Sequence, residues 1–138
     1  MLNTVYRLVA PRRFEVEFND IDLHAGQIVV RPTHLSICHA DQRYYQGVRP
    51  AEVLKEKLPM ALIHEGLGEV LYDPTGTYQC GDTVIMIQNI PCEKDEVIAE
   101  NYLRSSKFRA SGFDGFMQEH VALDIDRVVP VDDSIDKV

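Results

Sequence analysis

Turn residues interrupt this sequence so often that short strands, and not long helices, are what it can build. Pro11, Pro32, Gly47, Pro50, the Asp73-Pro74-Thr75-Gly76 run, the Gly81-Asp82 pair and the stretch from Ser111 to Gly115 punctuate the 138 residues. Proline fixes φ and removes a backbone donor, and glycine reaches φ values closed to other residues, so each ends or bends an element. Residues 4–9 and 14–18 read as strands, the second alternating Phe14, Val16 and Phe18 against Glu15 and Glu17. Ile28 and Val30 share one face, whereas Leu35 and Ile37 have the opposite parity, with Pro32 at the change. A bulged or edge strand is predicted there. From Met60 to Leu71 an apolar run leads into His64-Glu65 and then a strand, further strands are expected over residues 83–88, 116–123 and 127–131, and the one at 83–88 is apolar on both faces, which predicts a buried strand. Two short helices are expected, one turn over 40–45 ending at Gly47 and another over 50–57 with Pro50 at its start. Residues 91–109 form a charged excursion with helical character at 96–103. The fold class is therefore mainly β, a barrel or sandwich with a few short helices, in one domain spanning 1–138.

The formal charge of −8, with basic residues scattered, excludes a phosphate-backbone surface, so no nucleic-acid partner is expected. Arg12-Arg13 and the segment from Arg104 to Arg109 are the local exceptions. No apolar run reaches membrane-spanning length, and the basic pair near the start follows a short apolar stretch instead of preceding one, so neither membrane nor export signal is expected. Three cysteines, Cys38, Cys80 and Cys92, are an odd number without short spacing, which points away from a disulfide framework and towards a reducing, cytoplasmic setting.

Chemistry concentrates between Ile37 and Val70. A thiol at Cys38, an imidazole at His64 and carboxylates at Asp41 and Glu65 each stand beside a turn or an apolar run, and together they form a candidate metal-ligand set. The separation of Cys38 from His64 matches no local spacing rule. Taken alone, a cysteine at a strand end is commonly a small buried hydrophobe, and a histidine after Met60-Ala61-Leu62-Ile63 is commonly a core residue bonded to a carbonyl.

The ordered set Cys38-His39-Ala40-Asp41, Gly47, Leu58-Pro59, His64-Glu65-x-x-Gly68-x-Val70, Gly81-Asp82-x-Val84 and Gly115-Phe116-x-x-Glu119 resembles the catalytic domain of the zinc-dependent medium-chain dehydrogenase/reductases, the alcohol dehydrogenase superfamily. Within it, VRPTHLSICHADQRYYQG, LPMALIHE, YDPTGTY and SGFDGFMQE are similar to the ribulose-5-phosphate reductase (ribitol-5-phosphate dehydrogenase) branch, which supplies CDP-ribitol for teichoic acid and capsule synthesis. The resemblance implies a GroES-like, partly open barrel and one catalytic zinc held by Cys38, His64 and, directly or from the outer shell, Glu65. Asp41 would accept a hydrogen bond from the zinc-bound imidazole and would not be a ligand. His39 would touch the coenzyme. NADPH would deliver hydride to the ketone of D-ribulose 5-phosphate, with zinc acting as a Lewis acid on its oxygen.

Where the family has Ser or Thr for proton relay this chain has Ala40, so the proton must pass by water, His39, Tyr44 or Tyr45. Arg43, five residues after Cys38, is the first candidate for the substrate phosphate, followed by Arg104, Lys107 and Arg109. The single Cys92 stands where relatives carry four closely spaced cysteines, so no structural zinc is expected. There is no Gly-x-Gly-x-x-Gly after a strand and no βαβ alternation. The chain is expected to be the catalytic half of a longer enzyme, inactive alone and weak in zinc binding. The expected partners are a small sugar phosphate, further copies of the full enzyme and a cytidylyltransferase of the same pathway. Two other readings stay open, a zinc dehydrogenase of a neutral polyol or secondary alcohol, and a non-catalytic co-chaperonin-like binding barrel.

Overall fold

The structure, a computed structural model, describes residues 1–93, 96–97 and 103–137. Its elements run β1 (Leu2–Ala10), β2 (Arg13–Asp20), β3 (Ile28–Ser36), α1 (His39–Gln46), α2 (Ala51–Lys57), β4 (Met60–Ala61), β5 (Glu65–Tyr72), β6 (Thr83–Met86), β7 (Asn89–Ile90), β8 (Lys107–Phe108), β9 (Val121–Leu123), a 3-10 turn (Ile125–Arg127) and β10 (Val128–Pro130). All strand pairs are antiparallel. A five-stranded sheet in the order β10-β6-β5-β3-β9 curls into a half-barrel, and a three-stranded sheet, β2-β1-β4, and the β7-β8 pair complete it. The mainly β, partly open barrel is thus the observed architecture. The helical character expected at 96–103 falls largely outside the described residues.

The mid-strand change of parity in β3 is a pair of bulges, one at Val29/Val30 and one between Pro32 and His34. The strand is not a simple edge, because Ile28 to Val30 pair with β9 while β5 pairs along its length. Pro32 lies beyond the last β9 partner, where the missing N–H costs no ladder bond. Opposite it, Gly68 lets two backbones close together: a Cβ there would sit 2.4 Å from the Arg31 carbonyl oxygen.

Two expectations are corrected, on strands 83–88 and 116–123, and β2 shows which way its alternating faces look. The strand at 83–88 is buried on one face only: Val84 and Met86 point inward, but Ile85 is 45% exposed. Its register partners Leu67 and Val129 place it on the outer face of the sheet, so apolarity on both sides did not mean cover on both sides. In β2 the apolar face turns outward, leaving Val16 and Phe18 exposed. The other face of the hairpin is claimed by charge, since Arg7 on β1 binds both Glu17 and Asp114 there. The strand expected at 116–123 shortens to Val121–Leu123. Before it, residues 115–117 run irregularly along 61–63, with Gly115 N donating to Ala61 O (2.8 Å), Phe116 N to Ile63 O (2.6 Å) and Met117 N to Leu62 O (3.2 Å).

Two apolar clusters form the interior. Ile28, Val30, Val70, Val84, Met86, Phe116, Val121, Leu123 and Val128 fill the half-barrel. Leu8, Tyr44, Met60, Leu62 and Ile63 form a smaller cluster under α1 and α2. The second cluster carries the site.

Candidate metal centre

Cys38 leaves β3 and becomes the N-cap of α1. Asp41, at the third helical position, reaches back to accept the Cys38 N–H at 3.0 Å, the carboxylate half of a capping box. Gly47, with φ 73°, closes the helix in the left-handed conformation that a residue without Cβ adopts freely. The helix is short because these two caps fix its ends.

His64 arrives from the other side, in the connection between β4 and β5, one residue after Ile63. Ile63 has φ 70°, a left-handed value costly for a β-branched side chain. Three contacts hold it there. Its N–H donates to Asp41 Oδ1 at 2.9 Å, its carbonyl accepts from Phe116 N, and Gly115 lies so close that a Cβ would be 2.3 Å from the Ile63 oxygen. Asp41 therefore bridges the segment that bears the thiol and the segment that bears the imidazole. It is 3% exposed, and its two oxygens accept from backbone donors at Cys38 and Ile63. This anchoring differs from the expected bond to the imidazole: the carboxylate fixes the main chain on both sides of the site.

The result brings Cys38 Sγ to 3.8 Å from His64 Nε2. Bonds of ~2.3 Å to sulfur and ~2.0–2.1 Å to nitrogen at a tetrahedral angle require an S···N separation of about 3.6 Å. The pair is thus already spaced for one zinc ion, and thiolate plus imidazole is a donor set that suits it. Ligand atoms of Cys38, Asp41 and His64 all lie within 4.8 Å of one another, the one such group of three among the described residues. Glu65 Oε1 stands 3.9 Å from His64 Nε2, with its side chain half exposed. A carboxylate in that position can swing to a metal, whereas the buried Asp41 is committed to the backbone.

Other candidates separate. Tyr44 is buried and lines a cavity of about 260 Å³ beside His64, together with Ala40, Gln88, Phe108, Ala110, Ser111, Arg109 and Arg49. Tyr45 turns away and stacks on Phe14, with centroids 6.0 Å apart, and His39 is exposed on the first turn of α1. Cys80 and Cys92 are exposed and stand outside the ligand cluster.

The basic candidates divide in the same way. Arg104 and Lys107 are exposed, and neither they nor Arg43 lines the cavity beside His64; Arg109 does. Burial lowers the Arg109 guanidinium to about 10, with Asp114 and Asp124 opposing the shift, so it remains charged at neutral pH. Sequence reasoning missed Arg49. Its one signal was position: it follows the Gly47 cap and precedes Pro50, where the chain must double back over α1.

Comparison with known proteins agrees with this geometry. A family profile described as "Alcohol dehydrogenase GroES-like domain" matches residues 24–133. The chain is 59% identical over 135 residues to a ribulose-5-phosphate reductase of Bacillus spizizenii, covering 98% of this chain and 40% of that protein. It is 58% identical over 136 residues to ribulose-5-phosphate reductase 1 of Staphylococcus aureus, covering 99% and 40%. The chain thus spans about two fifths of the length of these relatives. Among solved structures, S. aureus TarJ in complex with NADPH superposes with a TM-score of 0.75 at 44% identity, covering 99% of this chain and 35% of that one. L-idonate 5-dehydrogenase of Escherichia coli superposes with a TM-score of 0.86 at 23% identity, over 99% of this chain and 42% of that one, a likeness of fold. On the profile match across most of its length, the chain belongs to the alcohol dehydrogenase GroES-like domain family.

Proposed function

We propose that this domain is the zinc-binding, catalytic part of an NADPH-dependent reductase that converts D-ribulose 5-phosphate to D-ribitol 5-phosphate. The observation that carries the reading is the Cys38 Sγ to His64 Nε2 spacing of 3.8 Å, with the buried carboxylate of Asp41 joining the two segments that bear them. A binding barrel without catalysis would require none of this.

Cys38 and His64 would hold the metal, with Glu65 as the exchangeable third donor. When bound, zinc supplies Lewis acidity to a carbonyl oxygen. Asp41 keeps the thiol and the imidazole in register by pinning Cys38 N and Ile63 N, so neither side chain has to reorganise when a substrate enters. The reduction moves a hydride from NADPH to the carbonyl carbon and a proton to the oxygen. Ala40 offers no hydroxyl for that proton. Tyr44, on the cavity wall, and His39, on the exposed first turn, are the groups available to pass it from solvent. His39 also stands where a coenzyme bound outside this domain could reach it.

The relatives named ribulose-5-phosphate reductase and the NADPH complex of TarJ support the choice of substrate and coenzyme. Homo-oligomerisation of the whole enzyme, association with a cytidylyltransferase and a cytoplasmic setting belong to the same proposal. No helix among the described residues is long and apolar enough to cross a membrane.

The test is NADPH oxidation by the full-length enzyme with ribulose 5-phosphate, alongside zinc content. Cys38→Ser and His64→Ala should each lose bound zinc and at least about 100-fold of kcat/KM, the scale of a removed transition-state contact. Turnover that survives in both variants would refute the metal centre.

A further inference from the structure

We propose that Arg49 is the residue that recognises the substrate phosphate, a specificity determinant placed by the turn between α1 and α2. The assignment rests on the phosphoketose reading above and names the residue that enforces it.

Three observations lead to Arg49. First, its guanidinium carbon lies 4.3 Å above the Tyr44 ring, and Tyr44 is itself buried beside the metal centre. Stacking holds the guanidinium by its face and leaves the N–H donors around its edge directed outward. Second, Arg49 makes no ion pair or side-chain hydrogen bond among the described residues, and its Nε is buried without a partner. Arg7, Arg13 and Arg31 are instead each paired with a carboxylate. A cation left without an anion at a cavity wall is poised to accept one.

Third, the cavity that Arg49 shares with His64 has no Asp or Glu in its lining, in a chain of net charge −8. The larger cavity, of about 390 Å³, on the other side of Arg109 sets the carboxylates of Asp20, Asp22, Asp114 and Asp124 against the cations of Lys107, Arg109 and Arg127, so its positive charge is offset. Arg109 borders both spaces. Its terminal nitrogens donate to the carbonyls of Asp114 (3.1 Å) and Ala122 (2.9 Å), so it lends the smaller cavity positive charge without a free fork. Arg49 retains that fork, which matches two phosphate oxygens at once. A substrate with its ketone at the metal and its phosphate at Arg49 would span the cavity between them.

The experiment uses the full-length enzyme with ribulose 5-phosphate, unphosphorylated ribulose, and inorganic phosphate as an inhibitor. Arg49→Gln should raise KM for the phosphorylated ketose about 10- to 100-fold with kcat little changed, because one charge-assisted contact is lost. It should weaken inhibition by inorganic phosphate in parallel and leave kcat/KM for ribulose unaltered. Arg49→Lys, which keeps the charge and loses the fork, should recover part of the loss. Equal losses on both ketoses would overturn the assignment by making Arg49 a structural support. So would a preference for phosphate that persists in Arg49→Gln, or one that disappears in Arg43→Ala instead. A wild-type enzyme that turns over both ketoses alike would overturn the phosphoketose reading and this assignment together.

Discussion

The two apolar clusters of this domain are built by different rules. The half-barrel cluster is assembled from strand residues two apart, Ile28 with Val30 and Val84 with Met86, joined across antiparallel ladders. Its backbone is regular apart from the β3 bulges and the irregular stretch that carries Phe116, and volume-conserving apolar exchanges within it should be tolerated best. The cluster under α1 and α2 contains Tyr44 and Ile63, and the backbone that joins it to the site departs from regular structure after β4. Ile63 is left-handed, Gly115 packs against two carbonyls, and Asp41 is buried to serve two N–H groups. The first cluster supplies stability through area removed from water. The second supplies position, and it keeps strained and polar elements because each is held by several contacts at once.

The contrast can be broken most sharply at Gly115. Replacing it with alanine would put a Cβ 2.3 Å from the Ile63 oxygen and 2.4 Å from that of Leu62, both main-chain atoms that cannot move aside. A loss of roughly 4 kcal/mol or more, or failure to fold, is expected in thermal or urea unfolding. Gly81→Ala is the companion: φ is 96° but nothing lies within 4 Å of the new Cβ, so the cost should be only about 1 kcal/mol. If both cost the same, close approach is not what shapes the second cluster.

Asp41→Ala comes next. It leaves the N–H groups of Cys38 and Ile63 without acceptors in a buried place, a cost of roughly 2–5 kcal/mol for the two together. Zinc affinity of the full-length enzyme should fall about 10- to 100-fold, since the ligands lose their orientation while both remain present. Unfolding and zinc titration on the same variant give both numbers. A stability loss with unchanged zinc affinity would make Asp41 a scaffold residue only.

The smallest effect is expected in the half-barrel. Val84→Ala removes two buried methyl groups and should cost roughly 2 kcal/mol. Zinc affinity should stay at the wild-type value, because Val84 pairs with Pro130 and with Gly68, which lies four residues along the chain from His64. A parallel loss of zinc binding would show that the two clusters act as one unit, against the division drawn above.

What the amino-acid sequence determined by itself was local. Glycine and proline placed the turns and, through Gly47 and Pro50, the two short helices, apolar alternation placed β2, and the parity change around Pro32 announced the bulge in β3. The ordered motif around Cys38 and His64 named the family and the candidate donor atoms. Tertiary structure decided which way each apolar face looks. Phe18 and Ile85 stand outward because a strand's period of two says that it has two faces, not which face meets the rest of the chain. It also decided the partners of Asp41, the left-handed backbone at Ile63 and the place of Arg49. Each of these depends on atoms brought together from distant positions: Ile63 is held in part by Gly115 and Phe116, more than fifty residues later. No window of sequence contains both sides of such a contact. The chemistry of the site was therefore written in its residue types, and its geometry was fixed only when the two ligand-bearing segments and the glycine-rich turn packed together.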